Sequence, residues 1–158
     1  MDSLLRGNGK MDFAACQSKK LAKKVNADEN LIESLLKSSS KKLNAQKLLQ
    51  LDDNTATSKI TLVYDALREL LEALSISKGY KIYNHECYAS FLKEIVNESN
   101  FGDIFNNFRK IRNDINYYGK DVSADEAKPV IDGMFDFIES LKARFFANKK
   151  QQNLNNSN

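Results

Sequence analysis

Histidine, proline and glycine are all scarce in this chain, and each scarcity removes a class of structure or chemistry. The 158 residues hold one histidine, one proline and six glycines. So few turn formers, with almost no alternating apolar pattern, argue against a β-sandwich or a βαβ fold and for an all-helical domain. A mechanism that needs an imidazole within one subunit has a single candidate, His85. The two cysteines, Cys16 and Cys87, lie far apart without CxxC or Cys/His spacing. That spacing removes zinc and thioredoxin-like readings and leaves two reduced, structural thiols. No apolar run approaches the ~20 residues that span a bilayer, and residues 1–10 lack the charged-then-apolar layout of a signal peptide. The expectation is a cytoplasmic protein with no membrane partner. With neither a glycine-rich phosphate loop nor the paired acids of a metal-dependent transferase, no metal site and no cofactor are expected.

Charge is present but unevenly placed. Residues 1–50 carry ten Lys/Arg against five Asp/Glu, and the remainder is mildly acidic. Lys19, Lys20, Lys23 and Lys24, then Lys37, Lys41, Lys42 and Lys47, could neutralise phosphates along a helix. With no aromatic residues interleaved to stack on bases, they read first as a solvated helix face.

Apolar spacing divides the chain into helices. Residues 11–50 read as one long helix or two in line, with a break where Asn26-Ala27-Asp28-Glu29 has the layout of a capping box. After the Asp52–Thr55 loop, Ile60, Val63, Tyr64, Leu67, Leu70, Leu71 and Leu74 make a strongly amphipathic second helix that Gly79 stops. A connector from Tyr80 to Asn84 leads to a third helix with Tyr88, Phe91, Leu92, Ile95 and Val96 inside, and Asn100 and Gly102 mark the next turn. The fourth helix ends at Gly119. Ser123-Ala124-Asp125-Glu126 opens the last one, whose regular part is expected only from Lys128 because of Pro129. Residues 1–147 form one domain in this reading, and the Asn/Gln/Lys-rich 148–158 a disordered tail.

Polar chemistry is concentrated at the end of the fourth helix, in Arg112-Asn113-Asp114-Ile115-Asn116-Tyr117-Tyr118-Gly119. On a helix, Phe101, Ile104, Phe105, Phe108, Ile111 and Ile115 share one stripe, and Arg112 falls inside it. Burying a guanidinium costs several kcal/mol unless it is paired. Arg112 therefore either pairs with Glu69, Glu72 or Asp65 on the second helix or faces a groove that holds an anion. Asn116 lies one turn on, on the same side. Tyr117 and Tyr118 read as helix-end core or dimer residues, or as donors and stacking surfaces. His85 reads as a helix-start histidine whose ring satisfies backbone groups.

Two segments carry a resemblance to the HEPN family, small helical bundles found with nucleotidyltransferases and in toxin–antitoxin and RNA-cleaving systems. One is Tyr64-Asp65-Ala66-Leu67-Arg68-Glu69-Leu70-Leu71-Glu72-Ala73-Leu74 with Gly79-Tyr80-Lys81 and His85; the other is Arg112-Asn113 leading to Tyr117-Tyr118-Gly119. With the helix between them they cover roughly residues 57–145. The resemblance implies an arginine, a polar residue and then a histidine four to six positions on, which meet their counterparts across a dimer interface and cleave RNA through its own 2′-hydroxyl. Arg112 and Asn113 match the first half. The histidine position falls on Tyr117, Tyr118 or Gly119. A phenol, with an ordinary pKa near ~10, is a poor base at neutral pH and forfeits most of the ~10²–10⁴-fold that acid–base catalysis supplies.

The resulting expectation is an all-α, up-and-down, HEPN-like bundle of four to five helices that dimerises through its second and fourth helices. It presents Arg112, Asn113, Asn116, Tyr117 and Tyr118 to a nucleotide or RNA phosphate without catalysis, alone or with a nucleotidyltransferase partner. The alternatives are a metal-independent endoribonuclease, toxin-like, in which His85 or Tyr118 assists Arg112, and a plain interaction module with Arg112 in a structural ion pair.

Overall fold

The computed structural model describes residues 11–147; the expected tail at 148–158 lies outside them. The chain runs α1 (Phe13–Ser18), β1 (Ala22–Lys24), α2 (Glu29–Lys47), α3 (Ala56–Ser77), β2 (Tyr80–Ile82) and α4 (Glu86–Ser90). A π-helical turn (Phe91–Ile95), α5 (Ser99–Tyr118) and α6 (Ala124–Phe145) follow. The fold is an all-α bundle with one small two-stranded ribbon. None of the described helices is long and apolar enough to cross a membrane.

Helix α3 is the spine. Val63, Tyr64, Leu67, Leu70, Leu71 and Leu74 along it are buried almost completely, and each side chain of that size contributes about 1.5–3 kcal/mol on leaving water. Antiparallel α2 covers one side of it, with Ile32 packed against Ala73 and Ile76 at one end. At the other end Lys59 reaches back to the last turn of α2, its Nζ donating to the carbonyls of Gln46 (2.7 Å) and Leu49 (2.7 Å). That buried ammonium satisfies carbonyls that a helix terminus leaves without partners. Helices α5 and α6 form the other antiparallel pair, joined by edge-to-face contact of Phe101 with Phe137 and by Phe108 lying over Gly133.

Local signals placed most of the caps. Ser123 caps α6 where expected, accepting from Glu126 N and donating to the Glu126 carboxylate, whereas the box read at Asn26–Glu29 is displaced: Asp28, not Asn26, caps α2, accepting from Leu31 N. Gly79 (φ 85°) ends the α3 turn and Gly119 (φ 61°) ends α5, both in the left-handed region where a Cβ is penalised.

Other expectations are corrected. Residues 11–50 do not form helices in line: Lys20 takes a left-handed φ of 60° after α1 and the chain extends into β1. The supposed connector at Tyr80 is β2, antiparallel to β1 with Ala22 opposite Ile82 and Lys23 opposite Lys81. A three-residue strand exists only through its partner, and that partner lies some sixty residues away. Asn100 and Gly102 are helical; the turn comes earlier, with Asn97 at φ 58°. Gly102 serves packing instead, because a Cβ there would lie 2.7 Å from the Ala89 carbonyl oxygen. Helix α6 starts at Ala124, and Pro129 sits inside it. Proline removes one hydrogen bond there, while the Ser123 cap and the buried Ala127, Ile131 and Met134 hold both sides.

The cysteines are also not free. Cys16 of α1 and Cys87 of α4 form a disulfide, both fully buried, with Cα atoms 6.1 Å apart. Their separation of 71 residues carries no motif; only the docking of α1 against α4 brings them within bonding distance.

Candidate functional site

Helix α5 and the turn between β2 and α4 enclose a polar cleft of about 340 Å³. The turn contributes Tyr83, Asn84 and His85, and the first residue of α4 contributes Glu86; α5 contributes Arg109, Arg112, Asn113 and Tyr117. The α5 residues stand three and four apart along the helix, which puts them on one side. The turn is positioned by the ribbon, through Tyr83 N donating to the Leu21 carbonyl at 2.8 Å, and by Asn84 Oδ1 accepting from Glu86 N at 2.9 Å.

His85 stands over the spine. Its Nδ1 lies 3.0 Å from the Tyr64 hydroxyl, and the tautomer decides which of the two donates. Thus the ring is held by a phenol and not, as the sequence suggested, by backbone groups; His85 makes no capping hydrogen bond to α4. Burial and, after it, the positive charges of Arg68, Arg112 and Arg109 lower the imidazole pKa to about 4, with Glu72 opposing. The ring is neutral at pH 7. Burial pushes the Tyr64 hydroxyl well above its ordinary value, so it remains a phenol.

Arg112 is half-buried, with its guanidinium carbon 5.4 Å from the Tyr64 ring centroid. With its amide oxygen turned to the guanidinium, Asn116 accepts from Arg112 Nε (2.9 Å) and Nη2 (3.1 Å). Arg109 is held similarly, donating from Nε (3.1 Å) and Nη2 (2.8 Å) to Asn106 Oδ1. Two of the three carboxylates expected to pair with Arg112 are engaged elsewhere, Glu69 with Lys42 and Ser38 and Glu72 with Arg68 and Lys81, and the third, Asp65, forms no salt bridge with it. Among the described residues no carboxylate forms a salt bridge with Arg109 or Arg112, and Glu86, the one acid lining the cleft, forms none with either. Two guanidiniums on neutral amides keep their charge available, and their planar forks suit the oxygens of a phosphate or carboxylate.

The structure thus brings Arg112, Asn113, Tyr117 and His85 to one cleft and sets Asn116 beside it as a support for Arg112. Tyr118, 81% exposed at the last turn of α5, does not line the cleft, and Tyr117 is 71% exposed; neither is a core residue. Arg109 was missed although it stands one turn before Arg112, a spacing that could have revealed it. Tyr83 and Asn84 carried no local signal, because they join the cleft through contacts distant in sequence; Tyr64, read only as a core residue, supports His85 and Arg112 from beneath. Among the described residues no three His, Cys, Asp or Glu side chains come together as metal ligands. No protein-family model, no curated protein and no solved structure matches this chain.

The state of His85 predicts a pH dependence of stability. Its folded pKa is below the ordinary ~6.5, so the unfolded chain takes up the proton more readily. Stability from this group is present above pH ~6.5, falls as pH drops to about 4, and is flat below. Water still reaches part of the ring, which discounts the contribution to about 1–2 kcal/mol. Urea unfolding at pH 7 and pH 4.5 should show a larger loss for the wild type than for His85→Asn by that amount; equal losses would remove the neutral-imidazole assignment.

Proposed function

We propose that this protein binds a phosphate-bearing ligand, a nucleotide or RNA, in the cleft between α5 and the Tyr83–His85 turn, as a HEPN-like binding or regulatory protein. The observation that carries this reading is the pair Arg109 and Arg112, half-buried and held by the amides of Asn106 and Asn116 instead of by carboxylates. A structural arginine is normally neutralised by an acid; one left on an amide retains most of its attraction for an incoming anion. Asn113 adds an amide to the same wall, and Tyr117 a ring at its rim. The reading includes a homodimer, with the exposed Tyr117 and Tyr118 rings near its interface, or in its place a nucleotidyltransferase partner.

A metal-independent endoribonuclease is the second reading, favoured by the presence of His85 in the cleft that holds Arg112. In that reaction a neutral imidazole nitrogen takes the proton of the 2′-hydroxyl, whose oxygen attacks phosphorus to close a 2′,3′-cyclic phosphate, and the imidazolium returns the proton to the 5′-oxygen, which leaves as a hydroxyl. Binding without cleavage is preferred because an imidazole with a pKa of about 4 is a weak base at neutral pH and one of its nitrogens is engaged by Tyr64.

Incubation of the purified protein with RNA in EDTA separates the two. Binding with intact RNA supports the first reading, whereas cleavage that disappears in both Arg112→Ala and His85→Asn supports the second. Sedimentation at micromolar concentration should give twice the chain mass; a mass of one chain would remove the homodimer from the reading.

A further inference from the structure

In the sequence the lysines of residues 19–24 read first as a solvated helix face, and the fold sets one of them, Lys23, against a residue that lines the cleft. Lys19, Lys20, Lys23 and Lys24 are all exposed, in the turn after α1 and in β1. Because Lys23 pairs in register with Lys81, the alternation of a strand puts Lys23, Lys81 and Tyr83 on one face of the ribbon. The contact is observed: Lys23 Nζ lies 5.8 Å from the centroid of the Tyr83 ring. Tyr83 also lines the arginine cleft, and the residue is 54% exposed. One aromatic residue therefore belongs to two cationic surroundings: it lines the cleft with Arg109 and Arg112, and Lys23 lies against its ring.

We infer that the ribbon face extends the cleft into a path for a single-stranded nucleic acid, with one phosphate at Arg109 and Arg112, a base against Tyr83, and a neighbouring phosphate at Lys23. This deepens the proposed phosphate-binding function and rests on it. Alternating cations and aromatic rings are what a strand of repeating phosphates and bases requires, since every base offers a face for stacking whatever its identity. An acidic peptide would use the cations but gain nothing from the ring. A mononucleotide would fill the cleft and leave Lys23 unused. Lys81 does not compete for the phosphate, because Glu72 holds it.

The test compares AMP, an RNA octamer of adenylate and an octapeptide of glutamate by titration calorimetry and fluorescence anisotropy across a salt series. The octamer should bind at least tenfold more tightly than AMP. Lys23→Gln should leave AMP affinity unchanged and reduce the slope of log affinity against log salt for the octamer by about 0.7, one phosphate contact on a single strand. Tyr83→Ala should weaken the octamer about tenfold, whereas Lys41→Gln, an exposed change on α2, should leave every ligand unaffected. Equal affinity for AMP and octamer, both lost in Arg112→Gln, would overturn the path while leaving the phosphate site standing. A glutamate peptide as tight as the octamer, or an equal loss of slope in Lys41→Gln, would also overturn it. Failure of the wild type to bind either AMP or octamer would remove the parent reading and this one together.

Discussion

Opening the Cys16–Cys87 disulfide is expected to lower the free energy of unfolding by about 4 kcal/mol, the loop-closure value for a cross-link between residues 71 apart. This is a large share of the ~5–15 kcal/mol by which a domain of this size is stable. The physical reason lies in what the bond joins. Helix α1 has six residues and α4 five, and neither length can sustain a helix without tertiary support. The bond holds them together and, through them, the ribbon and the turn that carries His85 two residues before Cys87. Guanidinium unfolding of the oxidised protein and of a Cys16→Ala/Cys87→Ala variant measures the difference; in thermal unfolding it should appear as a fall of roughly 8–16 °C. The alanine pair avoids burying two thiols whose redox state would vary. A difference below 1 kcal/mol would mean that α1 and α4 dock without the cross-link. Structural disulfides are characteristic of oxidising compartments, whereas the sequence alone led to the expectation of two reduced thiols.

Arg112→Ala is expected to weaken AMP binding about 100-fold or more, while costing only about 1 kcal/mol of stability. Binding falls because a fork of two charge-assisted hydrogen bonds to phosphate is removed from a cleft whose remaining cation, Arg109, is one turn away. Stability changes little because no carboxylate is left orphaned: the guanidinium rests on Asn116 and the Tyr64 ring, and Glu69 and Glu72 keep Lys42, Arg68 and Lys81. A buried ion-pair arginine behaves oppositely, losing about 3–5 kcal/mol when one partner is removed. Arg112→Lys should retain the charge but lose the planar fork, giving a drop of about tenfold. Calorimetric titration with AMP and urea unfolding of the same samples read both quantities. Undiminished AMP affinity would sink the phosphate site, and a stability loss of 3 kcal/mol would return Arg112 to the interaction-module reading.

The elements legible in the sequence were those whose information is local. Apolar spacing marked the spine α3, and the Ser123 cap with Gly79 and Gly119 marked a start and two stops, since each satisfies or relaxes groups within a few residues of itself. Helical phase singled out Arg112 for the same reason. Where the sequence misled, the deciding contact was distant: β1 against β2, Cys16 against Cys87, Tyr64 under His85. Asn100 and Gly102 misled differently, because an amide and a glycine resemble a turn unless it is known that Ala89 and Lys93 press against that side of the helix.

The amino-acid order therefore determined a helical bundle, its principal core and the one arginine set among apolar neighbours, because helix formation and amphipathic burial depend on spacings of three and four residues. The tertiary structure decided that this arginine shares a cleft with Arg109 and a neutral His85, that no acid quenches it, and that a lysine-bearing ribbon borders it. Those facts arise from packing between segments twenty to seventy residues apart, where the burial of the intervening α3 spine, and not any local preference, determines which side chains meet.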